Sequence, residues 1–470
     1  MEIITVNNST YIYDRISGYI SLQPNSSLIN EELCKPTDYA KKKYEYLCKF
    51  KLINCETELS PNLLSKKDLE DAILNTHQII FEVTDKCNLN CFYCGYGHFY
   101  NNYDRREDND FPFKRFLSIY NFFKNIWNKT SYTGSSYLRI SFYGGEPLCN
   151  FDFIKQVVEF LKKNPLPNKI ITYSMTTNAV LLNKYMDFLV ENDFDILISL
   201  DGDRHNNSYR VFHNGLESFD IVTSNLDILQ KKYPLFFSKR IKFNSVLHNR
   251  NSVVEATSFI SKQYGKKPMT NELNIYGIAE GKIKEFQTIF HSKGKEFRKM
   301  SIENQKFLTN ESPFLQHYKK WIFQSLLKTY SNDLHNVLSN DYYTDFISKA
   351  RILPTNTCIP FSRKIFVSVT GKIYPCERIG NEIEFGDISD NGVNIDYEGI
   401  LSFYNRILKN YIPLCRKCKA HDYCSVCIAS DLKGDSECKK IEPRNIKEII
   451  NYFYENPIQL RTIMESLIVL

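Results

Sequence analysis

From Gln78 onward, short runs of β-branched and aromatic residues alternate with longer stretches in which apolar residues recur every three to four positions. The first pattern predicts strands at Ile79–Thr84, Leu138–Tyr143, Ile170–Thr176, Asp195–Leu200, Arg240–Leu247 and Leu273–Ile278. The second predicts helices over Phe113–Trp127, Phe151–Lys163, Asn183–Asn192, Ser218–Lys232 and Ser252–Tyr264. Such alternation gives an α/β fold with a parallel sheet. Six units are too few to close an eight-stranded barrel, so the sheet is either open and doubly wound or an incomplete, TIM-like barrel. In both, chemistry belongs at the carboxyl ends of the strands, which places Cys87, Gly144, Thr177, Ser199 and His248 around one mouth.

Ahead of this core, residues 1–75 form a small α+β unit: Ile3–Val6, Thr10–Tyr13 and Tyr19–Leu22 are strand-like runs divided by Asn-Asn and Ser-Gly turns, and Tyr39–Lys49 is helical. Three strands followed by helices resemble the winged-helix-like domain that holds leader peptides in enzymes acting on ribosomally made peptides; a plain cap on the barrel is the other reading. The core runs over 76–282, a helical connector over 283–354, a cysteine-dense domain over 355–440 and a packed C-terminal helix over 441–470.

Composition narrows the class. Of 470 residues, 43% are hydrophobic and 14% aromatic, enough for more than one core, which excludes a disordered chain and a small disulfide scaffold. A net charge of +6 without dense Lys/Arg clusters gives no expectation of a nucleic-acid partner. Met1–Asp14 is too polar for a secretory signal, and no apolar run reaches the roughly 18 residues that span a bilayer. No membrane partner and a cytoplasmic location are therefore expected. In a reducing compartment, clustered thiols bind metal more readily than they pair.

Of 14 cysteines, three crowd into Cys87-Asn-Leu-Asn-Cys91-Phe-Tyr-Cys94, directly after the first strand. Three thiolates can hold three irons of a cubane and leave the fourth open. A zinc knuckle would need a fourth ligand, and His98 is the nearby candidate. The loop, with aromatic Tyr93 before its third cysteine, resembles the signature of the radical S-adenosylmethionine (SAM) enzymes, over about residues 78–280. That resemblance implies a 4Fe-4S cluster whose open iron chelates SAM, and reductive cleavage of SAM to a 5′-deoxyadenosyl radical. It carries further to Gly144-Gly145-Glu146-Pro147, which looks like the element contacting the methionyl amino group through backbone and carboxylate. Thr177 and Asn178 match a Thr-Asn-Gly segment with Ala179 in place of Gly. Ser199-Leu200-Asp201-Gly202 and the downstream Arg210 resemble a segment whose Ser and Arg contact the SAM ribose and carboxylate, although a surface ion pair is the plain alternative for Arg210. His205-Asn206 stands where the family has His-Asp.

The tail reads Cys358, twelve residues, Gly371, four residues, Cys376, then Cys415-x2-Cys418-x5-Cys424-x2-Cys427, then Cys438. This resembles the SPASM pattern of radical SAM maturases, with an interval of two residues before Cys427 where three are usual. The resemblance implies two auxiliary 4Fe-4S clusters, hence three in all: Cys415, Cys418, Cys424 and Cys438 on the distal one, Cys358, Cys376 and Cys427 on the proximal one. Residues 335–357 contain no cysteine to complete the proximal set, which would leave an iron open or held by another group. A pair of zinc ribbons is the bland alternative. Glu377, after Cys376, stands where sulfatase-maturing relatives have an Asp base; it is a candidate proton acceptor or simply one half of an ion pair. Cys34, Cys48, Cys55 and Cys149 read as reduced, mostly buried thiols.

The sequence thus reads as a radical SAM/SPASM peptide maturase, served by a precursor peptide with a leader and by a flavodoxin- or ferredoxin-type electron donor. A sulfatase maturase making formylglycine is the alternative enzyme. A zinc-stabilised peptide-binding scaffold is the alternative without catalysis.

Overall fold

The computed structural model describes residues 2–4, 10–14, 19–22, 42, 45, 46, 49, 63–101, 106–128, 137–275, 277–293, 295–296, 357–379, 383–417 and 427. The chain divides into two compact units: residues 65–308 with 359–403, and residues 1–64 with 309–358 and 404–470.

In the second of these, β1 (Glu2–Ile4), β2 (Thr10–Asp14) and β3 (Tyr19–Leu22) form an antiparallel sheet in the order β1-β2-β3, as the turn residues imply. Most of the expected helix Tyr39–Lys49, most of the connector and the whole C-terminal helix lie outside the described residues.

The larger unit is built on β4 (Gln78–Thr84), β5 (Tyr137–Gly144), β6 (Ile170–Thr177), β7 (Asp195–Ser199), β8 (Ile241–Leu247) and β9 (Met269–Glu272), all parallel. They pair in chain order without reversal, and helices Phe113–Trp127, Phe151–Lys163, Leu182–Glu191, Phe219–Lys232 and Val253–Tyr264 fill the crossovers. Right-handed crossovers that never change direction lay every helix on the same face, so the sheet is a partial barrel rather than a doubly wound one. β4 is buried on both faces along almost its whole length, as its near-continuous apolar run requires.

Local chemistry sets the helix ends. Asn150 accepts from the Phe153 N–H and Ser252 from the Glu255 N–H, and Gly265 closes the last crossover helix in the left-handed conformation (φ +65°). One strand reading needs correction. The last parallel strand is Met269–Glu272, not Leu273–Ile278: Leu273 and Ile278 join an aromatic cluster instead of pairing with β8. A further helix, Pro234–Arg240, opens on a proline that occupies its first position, where the missing N–H costs nothing.

The sheet continues beyond β4. β10 (Ile365–Val367) pairs with it in parallel, and β11 (Lys372–Tyr374), β12 (Gly386–Ser389) and β13 (Gly392–Ile395) follow as antiparallel neighbours, making ten strands among the described residues. Helix Tyr397–Lys417 comes after them. No helix among the described residues is long and apolar enough to cross a membrane.

Candidate active site

The cysteine loop leaves β4 and is fastened on two sides. Asn90 N–H donates to the Val211 carbonyl (2.7 Å) and Phe92 N–H to that of Tyr209 (3.1 Å), so residues 89–92 run antiparallel to 209–212. On the other side, Gly145 N–H donates to the Thr84 carbonyl and Glu146 N–H to that of Lys86, each at 2.9 Å. A Cβ on Gly144 would lie 2.2 Å from the Thr84 oxygen, and one on Gly145 would lie 2.1 Å from the Lys86 oxygen. Gly144 also has φ +134°. The two glycines therefore let the end of β5 close against the segment leading into Cys87.

Glu146 is 1% exposed and acts as an internal clamp. Its Oε1 accepts from the Thr177 hydroxyl (2.7 Å) and the Leu148 N–H (3.1 Å), and its Oε2 accepts from the Asn178 N–H (2.7 Å). Burial pushes its carboxyl up to about 7 against the pull of these donors. Pro147 starts the short turn that follows. Asn178 donates to Asn88 (2.7 Å) and lies 3.9 Å from the Cys87 sulfur, tying the end of β6 to the loop. Ala179 keeps the left-handed conformation expected of the glycine it replaces (φ +63°), and the Asn225 amide holds its carbonyl at 2.9 Å.

Beneath Cys91 and Cys94 lies a buried ionic knot. Asp201, fully buried just past β7, accepts from Arg210 Nε (2.9 Å) and Nη2 (3.0 Å) and from the Val246 N–H (2.8 Å). It also accepts from the Tyr93 hydroxyl. His248 lies behind: its Nδ1 accepts from the Arg250 N–H, which leaves the proton on Nε2, 3.7 Å from Asp201. Burial opposes charge on Asp201, but Arg210 and His248 hold its carboxyl well below the usual carboxylate range. Burial keeps the Tyr93 phenol protonated and so a donor. Arg210, aimed at the SAM carboxylate by the resemblance, thus directs two N–H groups at Asp201 and is itself 7% exposed. Asn206, in place of the family acid, packs under Gly202 and donates to the Arg250 carbonyl (2.8 Å). Ser199 sits half-buried at the end of β7, opposite Asn244.

Cys87, Cys91 and Cys94 form no disulfide. Burial pushes the Cys87 and Cys91 thiols up to about 12, and Cys91 also feels the other two as like charges, so the three form one electrostatic group. Among the described residues, no three His, Cys, Asp or Glu side chains are grouped around the position of a single ion. Three thiolates on one loop, binding separate irons, are a donor set that fits a cubane. His98, the candidate fourth zinc ligand, is bonded to Glu285 (2.8 Å) and Lys282 (2.9 Å).

Glu377 is gripped by Lys364 Nζ at 2.8 Å from both carboxylate oxygens, the ion-pair reading of that residue. Cys149 is exposed rather than buried. Cys376 is half-buried, Cys415 is buried, and Cys358 and Cys427 are exposed; Cys34, Cys48, Cys55, Cys418, Cys424 and Cys438 lie outside the described residues. Two residues went unassigned in the sequence. Asp201 had a usable signal, an acid directly after the apolar run Ile196–Leu200, whereas Arg106, 3.7 Å from the Cys94 sulfur, had none.

Comparison with known proteins agrees with this geometry. Residues 81–249 match the model of the radical SAM superfamily. An uncharacterised protein of Methanocaldococcus jannaschii is 34% identical over 176 residues, covering 37% of this chain and 54% of that one. The cysteine-type anaerobic sulfatase-maturating enzyme of Clostridium novyi is 31% identical over 156 residues, 33% of this chain and 40% of that one. The chain therefore spans about half or less of the length of these curated relatives. A solved structure described as native anSMEcpe with bound AdoMet and Cp18Cys peptide superimposes with a TM-score of 0.51 at 20% identity, over 83% of this chain and 99% of that one. At that identity the likeness is one of fold.

Proposed function

Residues 81–249 being a radical SAM domain, we propose that the protein is a radical SAM enzyme that modifies a peptide side chain or backbone carbon, as the maturase of a ribosomally made peptide. The observation that carries this reading is the loop of Cys87, Cys91 and Cys94, zipped to 209–212 on one side and to the two glycines after β5 on the other. Cys87, Cys91 and Cys94 would hold a 4Fe-4S cluster, which, with an electron from an external donor, would supply the reductive SAM cleavage that makes hydrogen-atom abstraction from a substrate carbon available. The chain's own residues fix the seat. Glu146 joins the ends of β5 and β6, Asp201 and Arg210 hold Tyr93 from below, and Ser199, Thr177 and Asn178 line the strand ends where a nucleotide ligand would lie.

Support for a peptide substrate is less direct: a peptide-bound neighbour shares the fold over most of the chain, and the tail cysteines have SPASM-like spacing. The auxiliary ligands Cys358, Cys376, Cys415, Cys418, Cys424, Cys427 and Cys438, the precursor peptide, the electron donor and the cytoplasmic location all belong to this proposal. The Clostridium novyi relative favours a second reading, formylglycine formation on a sulfatase.

Anaerobically reconstituted protein is expected to hold about twelve irons, falling to about eight when Cys87, Cys91 and Cys94 are changed to Ala, as three cubanes would give. It is expected to convert SAM to 5′-deoxyadenosine only while those cysteines are present. A parent protein that binds stoichiometric zinc and no iron overturns the reading. Mass change in a small peptide encoded beside this chain separates the maturase from the sulfatase reading, for which a cysteine-containing sulfatase peptide is the test substrate.

A further inference from the structure

Three N–H groups point at the sulfurs of the cysteine loop. Cys87 receives the Leu89 backbone N–H (3.5 Å) and the Asn178 amide (3.9 Å), both neutral. Cys94 receives Arg106 Nη2 at 3.7 Å, a donor that carries a fixed positive charge. The guanidinium lies 4.6 Å over the Tyr96 ring, which limits its swing. Its Nε is buried and has no hydrogen-bond partner, and among the described residues no carboxylate pairs with it. Among the described residues, this buried guanidinium edge therefore faces a thiol and no carboxylate.

We propose that Arg106 is a positioning residue for the iron-sulfur site, and that its charge and its N–H···S bond to Cys94 raise the reduction potential of the cluster held there. This rests on the reading of Cys87, Cys91 and Cys94 as cluster ligands. One-electron reduction adds a negative charge to a thiolate-bound cluster. A fixed cation beside one ligand sulfur stabilises the reduced form more than the oxidised form, as hydrogen bonds to cluster sulfurs also do.

The test is a redox titration of the full-length reconstituted chain with low-potential mediators, following the electron paramagnetic resonance signal that shifts when SAM is added. R106Q is expected to lower the reduced-to-oxidised ratio at a fixed potential about tenfold, which is about 59 mV for one electron. R106K, which keeps the charge, is expected to stay within about threefold of the parent. Should R106Q fail to fold, R106M, which keeps an apolar stem over Tyr96, takes its place. Equal potentials in the parent, neutral and Lys variants overturn the proposal, as does an R106K that matches R106Q. A parent chain with no SAM-responsive iron-sulfur signal instead overturns the reading on which it rests.

Discussion

Asp201 shows how one buried side chain can carry a site's geometry. With Arg210 gripping it by two N–H groups and the Tyr93 hydroxyl and Val246 N–H completing its shell, the carboxylate is stable only as an anion inside the protein. Its folded pKa lies below the ordinary 3.8, so its stabilising contribution is complete above that pH and is lost as pH falls toward the folded value. Asp201→Asn leaves the Arg210 charge buried without a partner and is expected to cost about 3–5 kcal/mol near neutral pH. It is also expected to flatten the stability profile below pH ~4. Adding Arg210→Met to Asp201→Asn is expected to recover most of the loss, because the uncharged pair no longer leaves a lone ion. Denaturant titrations of the parent, Asp201→Asn, Arg210→Met and the double variant across pH check this, and additive losses in the double variant would show that the two residues act independently.

Individual elements explain why some of the site was legible and some was not. The strand ends could be read because their residues break an apolar run with chemistry-bearing types: Cys87 after Ile79–Thr84, Gly144-Gly145 after Leu138–Tyr143 and Thr177-Asn178 after Ile170–Thr176. What each residue does there could not be read, since it depends on which backbone comes close. Gly145 looked like a place for a ligand to approach, and its missing Cβ also admits the Lys86 carbonyl. Gly145→Ala must push back the segment that delivers Cys87, and is expected to destabilise the protein by about 2–3 kcal/mol while lowering iron uptake at that loop. Thermal melting of the apo protein and iron analysis report the two effects separately; a variant with unchanged melting and full iron would mean that the close approach has slack. The displaced β9 failed for a different reason. Leu273 and Ile278 have strand-like spacing, but their partners are Phe99, Phe286 and other residues of the cluster beside Tyr93, and periodicity does not distinguish burial in a sheet from burial under a loop.

At the scale of the larger unit, residues 359–403 belong with the parallel core. A boundary drawn near residue 355 follows the change in cysteine density, yet β10 lies beside β4 with Ile365, Phe366 and Val367 opposite Ile79, Ile80 and Phe81. The buried Glu82 carboxylate accepts from the Val369 N–H at 2.9 Å, and Ile80, Phe366 and Tyr374 share one apolar cluster. Helix Phe113–Trp127 packs on β12 and β13 as well as on its own crossover. This continuity was invisible in the sequence because the pairing joins residues almost 300 positions apart, and neither strand's composition names its neighbour. A chain ending at residue 308 would leave β4 as an open, largely apolar parallel edge, strip Glu82 of a buried partner and bare one face of that helix. Parallel sheets with an uncovered hydrophobic edge aggregate more readily than they persist. The fragment 65–308 is therefore expected to be insoluble or to lack a cooperative melting transition, even though it contains every residue of the cysteine loop and its fastenings. Sedimentation and calorimetry of the fragment decide it: a soluble monomer with a sharp transition would show that β10–β13 are dispensable to the core.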